Sequence, residues 1–467
     1  MSRPERGDQL ELTIDRFAHG GEGVARHGED GYVVFVSGAI PGDRVRAEVV
    51  KRKRSYAHAR AVELLTPSPE RIAPTAHHPG VAWQVLPYER QLQVKQEQVD
   101  DALRRIGKLD GYELEPIVPA LQQWRYRNKL EYSFGQDDGD ALVCGFHAPG
   151  GWKRVDPIED CLLASELGNR AREVALRWAR EQNLRAWDRR RESLSASGAR
   201  PLLRNLVVRE GRRSGRLQVR LVSSDGELDA ASLAHALVAE LGTERLSGVL
   251  WTRSAALAET TAGGETELVW GEAELAERLA CLERGGDLDL RISAQAFFQT
   301  NTEMAEVLYG VAAEYAALAG WERVYDLYCG IGTIALTLAA RAGEVWGIEL
   351  IEAAVADAIA AAARNEITNA RFFAGDARLA LPELLQRAGR PDVAIIDPPR
   401  AGLSQKVVRR ILDAAPKRIV YVSCNPTTLA PNAAQMVEAG WRLVKVRPVD
   451  MFPQTPHIEC VALLERR

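Results

Sequence analysis

The sequence predicts an α/β protein whose C-terminal part is a doubly wound domain, preceded by a small β-barrel and an α+β insert. From Asp287 onward, short β-branched runs alternate with helical segments, as in a parallel sheet with helices on both faces. Before residue 67, short alternating runs are separated by glycine turns, which is typical of a small barrel. A chain of 467 residues has room for two to four such units.

Composition narrows the class of protein. Hydrophobic residues make up 46% and charged residues 27%, and no apolar run approaches the length that spans a bilayer, so we expect a soluble globular monomer without a membrane partner. Six cysteines without regular spacing argue against a disulfide scaffold and indicate a reducing cytoplasm. The net charge of −4 does not point to nucleic acid, but Glu48 is the only acid between Arg44 and Arg60.

Residues 1–66 are predicted to form the barrel. Its turns fall at Gly20–Gly23 and Ile40–Asp43, and its strands at Leu10–Ile14, Tyr32–Val36, Val45–Val50 and Ala59–Leu65. A basic run follows the third strand and fits phosphate binding, with a solvated hairpin as the alternative; it comprises Lys51, Arg52, Lys53 and Arg54. The segment resembles a TRAM domain, the OB-like RNA-binding barrel of several RNA-modifying enzymes.

Residues 67–120 are predicted to be a Pro- and His-rich linker up to Pro87 and then a helix to Lys108. Residues 121–290 are predicted to form the α+β insert, with helices at Glu166–Gln182 and Asp229–Gly242. Its predicted strands are Leu130–Phe134, Ala141–His147, Leu203–Arg209, Leu217–Val222 and Gly248–Arg253. The stretch Trp124–Lys129 interleaves aromatic and basic residues, so it is either an RNA contact through Arg127 and Lys129 or an amphipathic edge strand.

Residues 291–467 are predicted to be the doubly wound, Rossmann-like domain. Its strands are Val324–Leu327, Glu344–Ile348, Ala370–Ala374, Val393–Ile396 and Arg418–Val422. The helices between them are Ile334–Arg341, Ala353–Asn365, Arg378–Gln386 and Lys406–Ala414. Two more strands, Trp441–Val449 and Ile458–Leu464, end the chain.

The stretch Arg418–Ala430 contains a candidate nucleophile. Pro426 suits the first turn of a helix, so Cys424 lies between the end of a strand and the start of a helix. The dipole and free N–H groups of a helix start favour a thiolate, the nucleophilic form of cysteine. The alternative is that Cys424 is a small core residue.

Acids end successive predicted strands beside a glycine turn. Gly330 and Gly332 allow close approach of a ligand, and Glu349, Asp376 and Asp397 follow the second, third and fourth strands. Because these ends line one crevice, the set fits S-adenosylmethionine: ribose at Glu349, adenine amine at Asp376 and the methionine part at the glycine turn. Each acid alone is better explained as a helix cap than as a ligand.

Three motifs resemble those of the TrmA/RumA-type RNA uridine-5-methyltransferases: Asp397–Arg400, Val422–Pro426 and Phe452–Glu459. The resemblance extends to Phe297–Asn301, the insert and the barrel, and so covers nearly the whole chain. It implies methyl transfer from S-adenosylmethionine to carbon 5 of a uridine in structured RNA. We expect 23S ribosomal RNA to be the target, with transfer RNA as the alternative.

The same resemblance implies roles for individual residues. Cys424 corresponds to the nucleophile, Glu459 to the base that removes the proton from carbon 5, and Arg400 either stabilises the enolate or forms a surface ion pair. The positions that contact the cofactor correspond to Gln299, Tyr328, Thr333, Glu349, Asp376 and Asp397. Thr333 replaces an asparagine found in some relatives.

One departure from the family pattern concerns metal. Many relatives hold an iron–sulfur cluster with four cysteines, three of them grouped after the barrel, but the corresponding stretch Ala76–Gln84 has none. Cys161 matches the fourth and stands alone, and His77 and His78 lack a partner at ligand spacing. We therefore expect no iron–sulfur cluster and no metal. The remaining cysteines are expected in the core: Cys144, Cys281, Cys329 and Cys460.

Two other functions stay open from the sequence. A base amino-group methyltransferase also carries Asp-Pro-Pro after the fourth strand, although usually with an aromatic residue where this chain has Arg400, and without a catalytic cysteine. A non-catalytic RNA-binding or chaperone protein could retain the fold, but the intact Cys424 and Glu459 argue against it.

Overall fold

The computed structural model describes residues 3–148, 154–187, 201–256, 258–280 and 286–466. The first sheet has the strand order β1-β5-β6-β4-β3-β2. These strands are β1 (Gln9–Thr13), β2 (Arg16–Phe17), β3 (Gly23–His27), β4 (Tyr32–Ser37), β5 (Arg44–Arg52) and β6 (Tyr56–Thr66). Alternating burial along β4 and β6 builds the core, and a hydrogen bond from Asp15 N to Val24 O ties the end of β1 to β3. The strands predicted for this segment are confirmed.

The stretch between Thr66 and Tyr88 is packed rather than free. Trp83 is 1% exposed, and its backbone N–H donates to the carbonyl of Gln454 at 3.0 Å. The predicted helix is confirmed as α1 (Tyr88–Asp101), which continues into one π-helical turn at Ala102–Ile106. A two-residue strand that the sequence did not reveal, β7 (Glu113–Leu114), follows.

The central sheet is mixed, which fits the predicted α+β insert, with the order β10-β9-β8-β12-β13-β14-β15 and β11 beside β12. Its elements are β8 (Lys129–Gln136), β9 (Leu142–His147), β10 (Val155–Pro157), α2 (Glu166–Glu181), β11 (Arg185–Ala186), β12 (Leu202–Gly211), β13 (Arg216–Ser223), α3 (Ala230–Leu241), β14 (Leu246–Arg253) and β15 (Glu265–Gly271). Strand β8 begins at Lys129, and residues 124–128 before it lie outside the strands. The edge-strand alternative for Trp124–Lys129 is therefore wrong.

A hairpin and a helix lead into the C-terminal domain: β16 (Leu275–Leu279), β17 (Leu288–Ile292) and α4 (Thr302–Ala316). The alternating part follows as predicted, with β18 (Arg323–Leu327), α5 (Thr333–Ala339), β19 (Glu344–Glu349), α6 (Glu352–Arg364), β20 (Ala370–Ala374), α7 (Ala377–Ala388), β21 (Val393–Ile396), α8 (Gln405–Ala414), β22 (Arg418–Ser423), α9 (Pro426–Glu438), β23 (Trp441–Val449) and β24 (Glu459–Arg466). Helix α4 was not predicted.

The C-terminal sheet confirms the doubly wound α/β fold. Its order is β20-β19-β18-β21-β22-β24-β23-β7. Strands β18 to β22 are parallel, β24 is antiparallel to both β22 and β23, and β7 pairs in parallel with β23. The strand order reverses at β18, so the carboxyl ends of β18, β19 and β21 border one crevice, where such sheets bind ligands.

Buried polar contacts join the parts of the chain. Lys95 of α1 and Asp450 after β23 are both fully buried, with Nζ 2.6 Å from Oδ1, and the Tyr88 hydroxyl donates to the other oxygen at 2.8 Å. Asn128 donates from Nδ2 to the carbonyl of Gln299 at 2.8 Å. The division at residues 66, 120 and 290 stays a prediction. Within the described ranges, none of the helices combines the length and apolar character that crossing a bilayer requires.

Candidate active site

The pairing of β22 with β24 places Cys424 beside Glu459. Ser423, the last residue of β22, is the register partner of Cys460 in this antiparallel pair, and Cys424 and Glu459 are the residues next to these two. The carboxyl group of Glu459 is close enough to raise the pKa of the Cys424 thiol. Glu459 is buried at 4% exposure, and Cys424 is half-buried. The structure therefore brings the two predicted catalytic residues together.

The surroundings of Cys424 oppose the thiolate. Burial raises the pKa of Cys424 to about 11, and the carboxyl groups of Glu459 and Asp397 add to the rise, while Arg400 acts in the opposite direction. Burial and the two nearby acids therefore act against the thiolate that the helix start is expected to favour. Ionisation of Cys424 thus needs additional positive charge in the site.

The turn that carries Cys424 also fixes the loop that carries Arg400. Asn425 caps α9 by accepting from Thr427 N at 3.1 Å, and its Nδ2 donates to the carbonyl of Arg400 at 3.2 Å. Pro426 occupies the first turn of α9, as predicted. The Arg400 side chain is exposed and forms no ion pair with any residue that the structure describes, which leaves its charge available to the site.

Buried acids crowd the carboxyl ends of the strands. Burial raises the pKa of Asp397 to about 7, and burial together with Asp397 raises the pKa of Glu459 well above its usual range. Asp326, at the end of β18, accepts from Ala335 N at 3.0 Å through Oδ2, whereas its buried Oδ1 has no partner among the described residues. Burial raises the pKa of Asp326 as well. Such a cluster favours a cationic ligand.

The glycine turn after β18 is held in an unusual backbone conformation. Tyr328 has φ +67°, although it is not glycine, and its N–H donates to the carbonyl of Ile348 at 2.9 Å. A residue in this region costs of order 1–3 kcal/mol and is found most often at functional sites. Gly332, at φ +80°, has no room for a side chain, because an added Cβ would lie 2.9 Å from the ring of Phe372.

The other predicted cofactor residues lie around this turn or near it. Glu349 accepts from Gly330 N at 3.1 Å and from Ile351 N at 2.9 Å, so it braces the turn. Asp376 caps α7 by accepting from Arg378 N at 2.8 Å and is exposed. The remaining two are buried: Thr333, which donates to the hydroxyl of Tyr309 at 3.1 Å, and Gln299.

The predicted RNA contacts do not form one group. The Lys129 Nζ is 2.6 Å from Glu131, whereas the Arg127 guanidinium lies over the Phe452 ring at 5.5 Å, next to the catalytic motif. The run from Lys51 to Arg54 is exposed where β5 turns into β6 on the barrel. Within this run, Arg52 lies 4.0 Å from Glu5.

Two histidines at the site were missed by the sequence argument. His19 lies in the barrel turn between β2 and β3. Burial and the charge of Arg400 lower the pKa of His19, and a hydrogen bond with the side chain of Asn425 partly offsets this. Burial lowers the pKa of His457 to about 4, with contributions from Arg400 and other nearby bases. Thus a turn of the barrel reaches the catalytic segment. The only local signal was the place of His457 in the motif before Glu459.

The sequence suggested that Cys161 stands alone, but the structure places a histidine beside it. Its Sγ lies 3.2 Å from Nε2 of His78, whose Nδ1 accepts from Gly80 N at 3.1 Å. Because burial lowers the pKa of His78 to about 4, the imidazole is neutral and Nε2–H donates to the sulfur. In the parts of the chain described, no three candidate metal ligands gather. Cys144, Cys329 and Cys460 are buried as predicted, while Cys281 lies outside the described residues.

Comparison with known proteins agrees with the site. A family model described as tRNA (uracil-5-)-methyltransferase matches residues 263–467, and a TRAM domain model matches residues 3–62. A crystal structure of Pyrococcus abyssi tRNA (uracil-54, C5)-methyltransferase in complex with S-adenosyl-L-homocysteine is similar, with a TM-score of 0.77 and 27% identity over 97% of this chain and 99% of that chain.

Curated relatives match over their full length. An uncharacterized RNA methyltransferase of Halalkalibacterium halodurans is 35% identical, over 98% of this chain and 97% of its own. One from Chlorobaculum tepidum is 38% identical, over 99% of this chain and 98% of its own. The chain therefore belongs to the RNA (uracil-5-)-methyltransferase family and carries an N-terminal TRAM domain.

Proposed function

We propose that the protein methylates carbon 5 of a uridine in structured RNA through a covalent bond between Cys424 and the uracil. Its family makes it an S-adenosylmethionine-dependent RNA (uracil-5-)-methyltransferase. The single observation that carries the covalent mechanism is the pairing of β22 with β24, which ends with Ser423 beside Cys460 and so brings the adjacent residues Cys424 and Glu459 close together. A nucleophile and a base across one crevice are what addition and proton removal require.

The residues present fit the cofactor. Asp326, Asp397 and Glu349 place carboxyl groups around a turn that Tyr328 holds at φ +67°, and one oxygen of Asp326 is buried without a partner among the described residues. S-adenosylmethionine supplies a methyl carbon made electrophilic by a sulfonium. We propose that it is held by Gln299, Tyr328, Thr333, Glu349, Asp376 and Asp397. Asp376 does so beyond its role as a helix cap.

The first step activates the uracil. The positive charge of a sulfonium bound beside Asp397 and Glu459 would lower the pKa of the Cys424 thiol. Cys424 then loses its proton to water. Its sulfur then bonds to carbon 6, and the electrons of the ring double bond move toward the carbonyl oxygen as an enolate. Arg400, exposed and without a carboxylate partner among the described residues, stabilises that negative charge. Carbon 5 is then nucleophilic and would bond to the methyl carbon of the sulfonium, whose bond to sulfur would break so that S-adenosylhomocysteine is the leaving group.

The second step restores the ring. Glu459, ionised, takes the proton from carbon 5, the electrons form the double bond between carbons 5 and 6, and the bond from carbon 6 to sulfur breaks. The raised pKa of Glu459 makes its carboxylate a stronger base than an exposed glutamate. Cys424 leaves as a thiolate and is ready for the next uridine.

The Glu459→Gln variant tests this order of steps. The amide cannot accept the proton, so we expect methylated RNA to stay covalently bound to the protein and to survive denaturing electrophoresis. The Cys424→Ala variant should give neither adduct nor 5-methyluridine, yet bind S-adenosylmethionine nearly as the wild type does. Glu465→Gln, a half-buried glutamate at the other end of β24 that pairs with Arg418 and Arg442, is the control for loss of a carboxylate. Turnover in Cys424→Ala would refute covalent catalysis, and normal turnover in Glu459→Gln would show that Glu459 is not the base.

The RNA target has two candidates. The sequence leads us to propose 23S ribosomal RNA, while the similarity to a protein whose title names uracil 54 of tRNA favours transfer RNA as the second candidate. Mapping 5-methyluridine in both RNA classes from cells with and without the gene decides between them, because one class loses the modification. A cytoplasmic location and a monomeric state stay predictions from the sequence.

A further inference from the structure

Three rings lie in mutual contact on the outer face of the barrel. Phe35 of β4 stacks on His58 of β6 with centroids 5.3 Å apart, and Tyr56 meets both edge-on at 5.6 Å and 5.5 Å. The register of β4 with β6 sets Phe35 beside His58, while the alternate residues of both strands point into the barrel core. Phe35, Tyr56 and His58 are all half-exposed, and we call them the aromatic face.

Positive charge borders the aromatic face. Lys51 of β5 is the register partner of His58, and Lys53 follows at the turn. Both lysines are exposed, and neither forms an ion pair with any described residue, whereas Arg44 and Arg60 of the same sheet pair with glutamates. Rings beside unpaired bases offer stacking for a nucleobase and attraction for its phosphate.

The aromatic face is continuous with the proposed active site. Nδ1 of His58 lies 3.0 Å from Oε1 of Glu22 in the turn between β2 and β3. Gly21 in this turn packs against the catalytic motif, because an added Cβ would lie 2.6 Å from Cβ of Pro456. His19 of the same turn lies beside Asn425, the neighbour of Cys424. A chain of direct contacts thus leads from the rings to the nucleophile.

We propose that the aromatic face stacks unpaired bases of the RNA strand that delivers the target uridine to Cys424. This inference rests on the proposed function for the identity of the strand. Stacking accepts any base, since every base has a flat π surface. The face therefore contributes affinity for unpaired RNA near the target, while the motifs around Cys424 act on the uridine.

Binding of a short RNA tests the proposal without methyl transfer. We expect Phe35→Leu to bind a fluorescent, unstructured 12-nucleotide RNA containing one uridine about tenfold more weakly, in the range of one lost base–aromatic stack. The slope of affinity against salt should stay that of the wild type, because no phosphate contact is lost. Affinity for the same sequence as a duplex should not change. Phe35→Tyr should restore binding, and Val62→Ser, an exposed position on β6, is the matched control.

The outcomes separate this proposal from the proposed function. Wild-type affinity of Phe35→Leu for the single strand would overturn it, and so would an equal loss for strand and duplex. Tyr56→Leu carries the same expectations and replaces Phe35→Leu if that variant does not fold. If the wild-type protein makes no 5-methyluridine but the variants bind single-stranded RNA more weakly, the role of the aromatic face is supported and the proposed function is refuted.

Discussion

Alkylation of Cys424 measures how strongly its surroundings suppress the thiolate. With a pKa of about 11 instead of the ordinary 9.0, Cys424 is ionised to about one part in 1,000 at pH 8, against about one part in 10 for an ordinary thiol. Because the thiolate is the form that reacts, we expect iodoacetamide to label Cys424 about 100-fold more slowly at pH 8 than it labels an ordinary exposed cysteine. The labelling rate should keep rising about tenfold per pH unit from pH 7 to pH 10.

Two variants test the cause of this behaviour. Glu459→Gln replaces a carboxylate by a neutral amide, so it should lower the pKa of Cys424 and speed labelling at pH 9 several-fold. Arg400→Gln removes a positive charge that favours the thiolate, so it should slow labelling. Glu465→Gln, on the same strand as Glu459 but at its other end, should leave the rate unchanged.

The assay follows the modified Cys424 peptide by mass spectrometry at each pH, with the melting temperature checked for every sample. The buried cysteines supply an internal standard that should remain unlabelled: Cys144, Cys161, Cys329 and Cys460. A labelling rate that levels off at or below pH 9 would refute the argument that burial and the neighbouring acids hold Cys424 neutral. In that case the helix terminus would dominate, as the sequence alone suggested.

Three further predictions follow from other parts of the structure. Lys95→Met should lower the free energy of unfolding by about 3–5 kcal/mol, because it leaves the Asp450 carboxylate buried without its cationic partner. In urea titrations, Lys95→Met/Asp450→Leu should recover most of this loss. An equal loss in the double variant would show that the unpaired carboxylate is not the cause. Alanine at all four positions of Lys51–Arg54 should weaken binding of long RNA and reduce the salt slope by roughly 0.7 to 0.9 per lost phosphate contact, whereas Arg44→Ala, at a base already paired with Glu11, should not. The purified protein should be colourless and free of iron and acid-labile sulfide after aerobic or anaerobic handling; stoichiometric iron would show that the interpretation of Ala76–Gln84 is wrong.

The sequence predicted the elements that carry a strong local pattern. Val393–Ile396 and Ile419–Val422 are continuous apolar runs because these strands are buried on both faces, and both were assigned correctly. Helix α4 (Thr302–Ala316) has a wide buried face and a narrow polar stripe formed by Glu303, Glu306 and Glu314, so its pattern was present in the sequence and was missed. Strand β7 has two residues, and its partner strand lies at the other end of the chain. Such a short segment has no local sequence pattern that predicts a strand.

The sequence predicted which residues form the site but not the pKa values of their side chains. The motifs around Cys424 and Glu459 indicated both residues, while their closeness follows from the pairing of β22 with β24, which ends at Ser423 and Cys460. The pKa of Cys424 depends on Asp397, which a different strand brings near, and on burial that no motif encodes. His19 was missed for the same reason: its contact with Asn425 joins two domains.

Strand β7 has a consequence for how the protein matures. Glu113–Leu114 cover the outer edge of β23, and Val118 adds a bridge to Val449, so residues before the insert finish the C-terminal sheet. Translation releases these residues long before β23 exists, and a pairing between distant parts of a chain forms slowly. Until it forms, β23 presents an open edge that can recruit strands from other chains. A truncated protein starting at residue 263 would keep that edge exposed permanently, and we expect it to aggregate when the full chain does not.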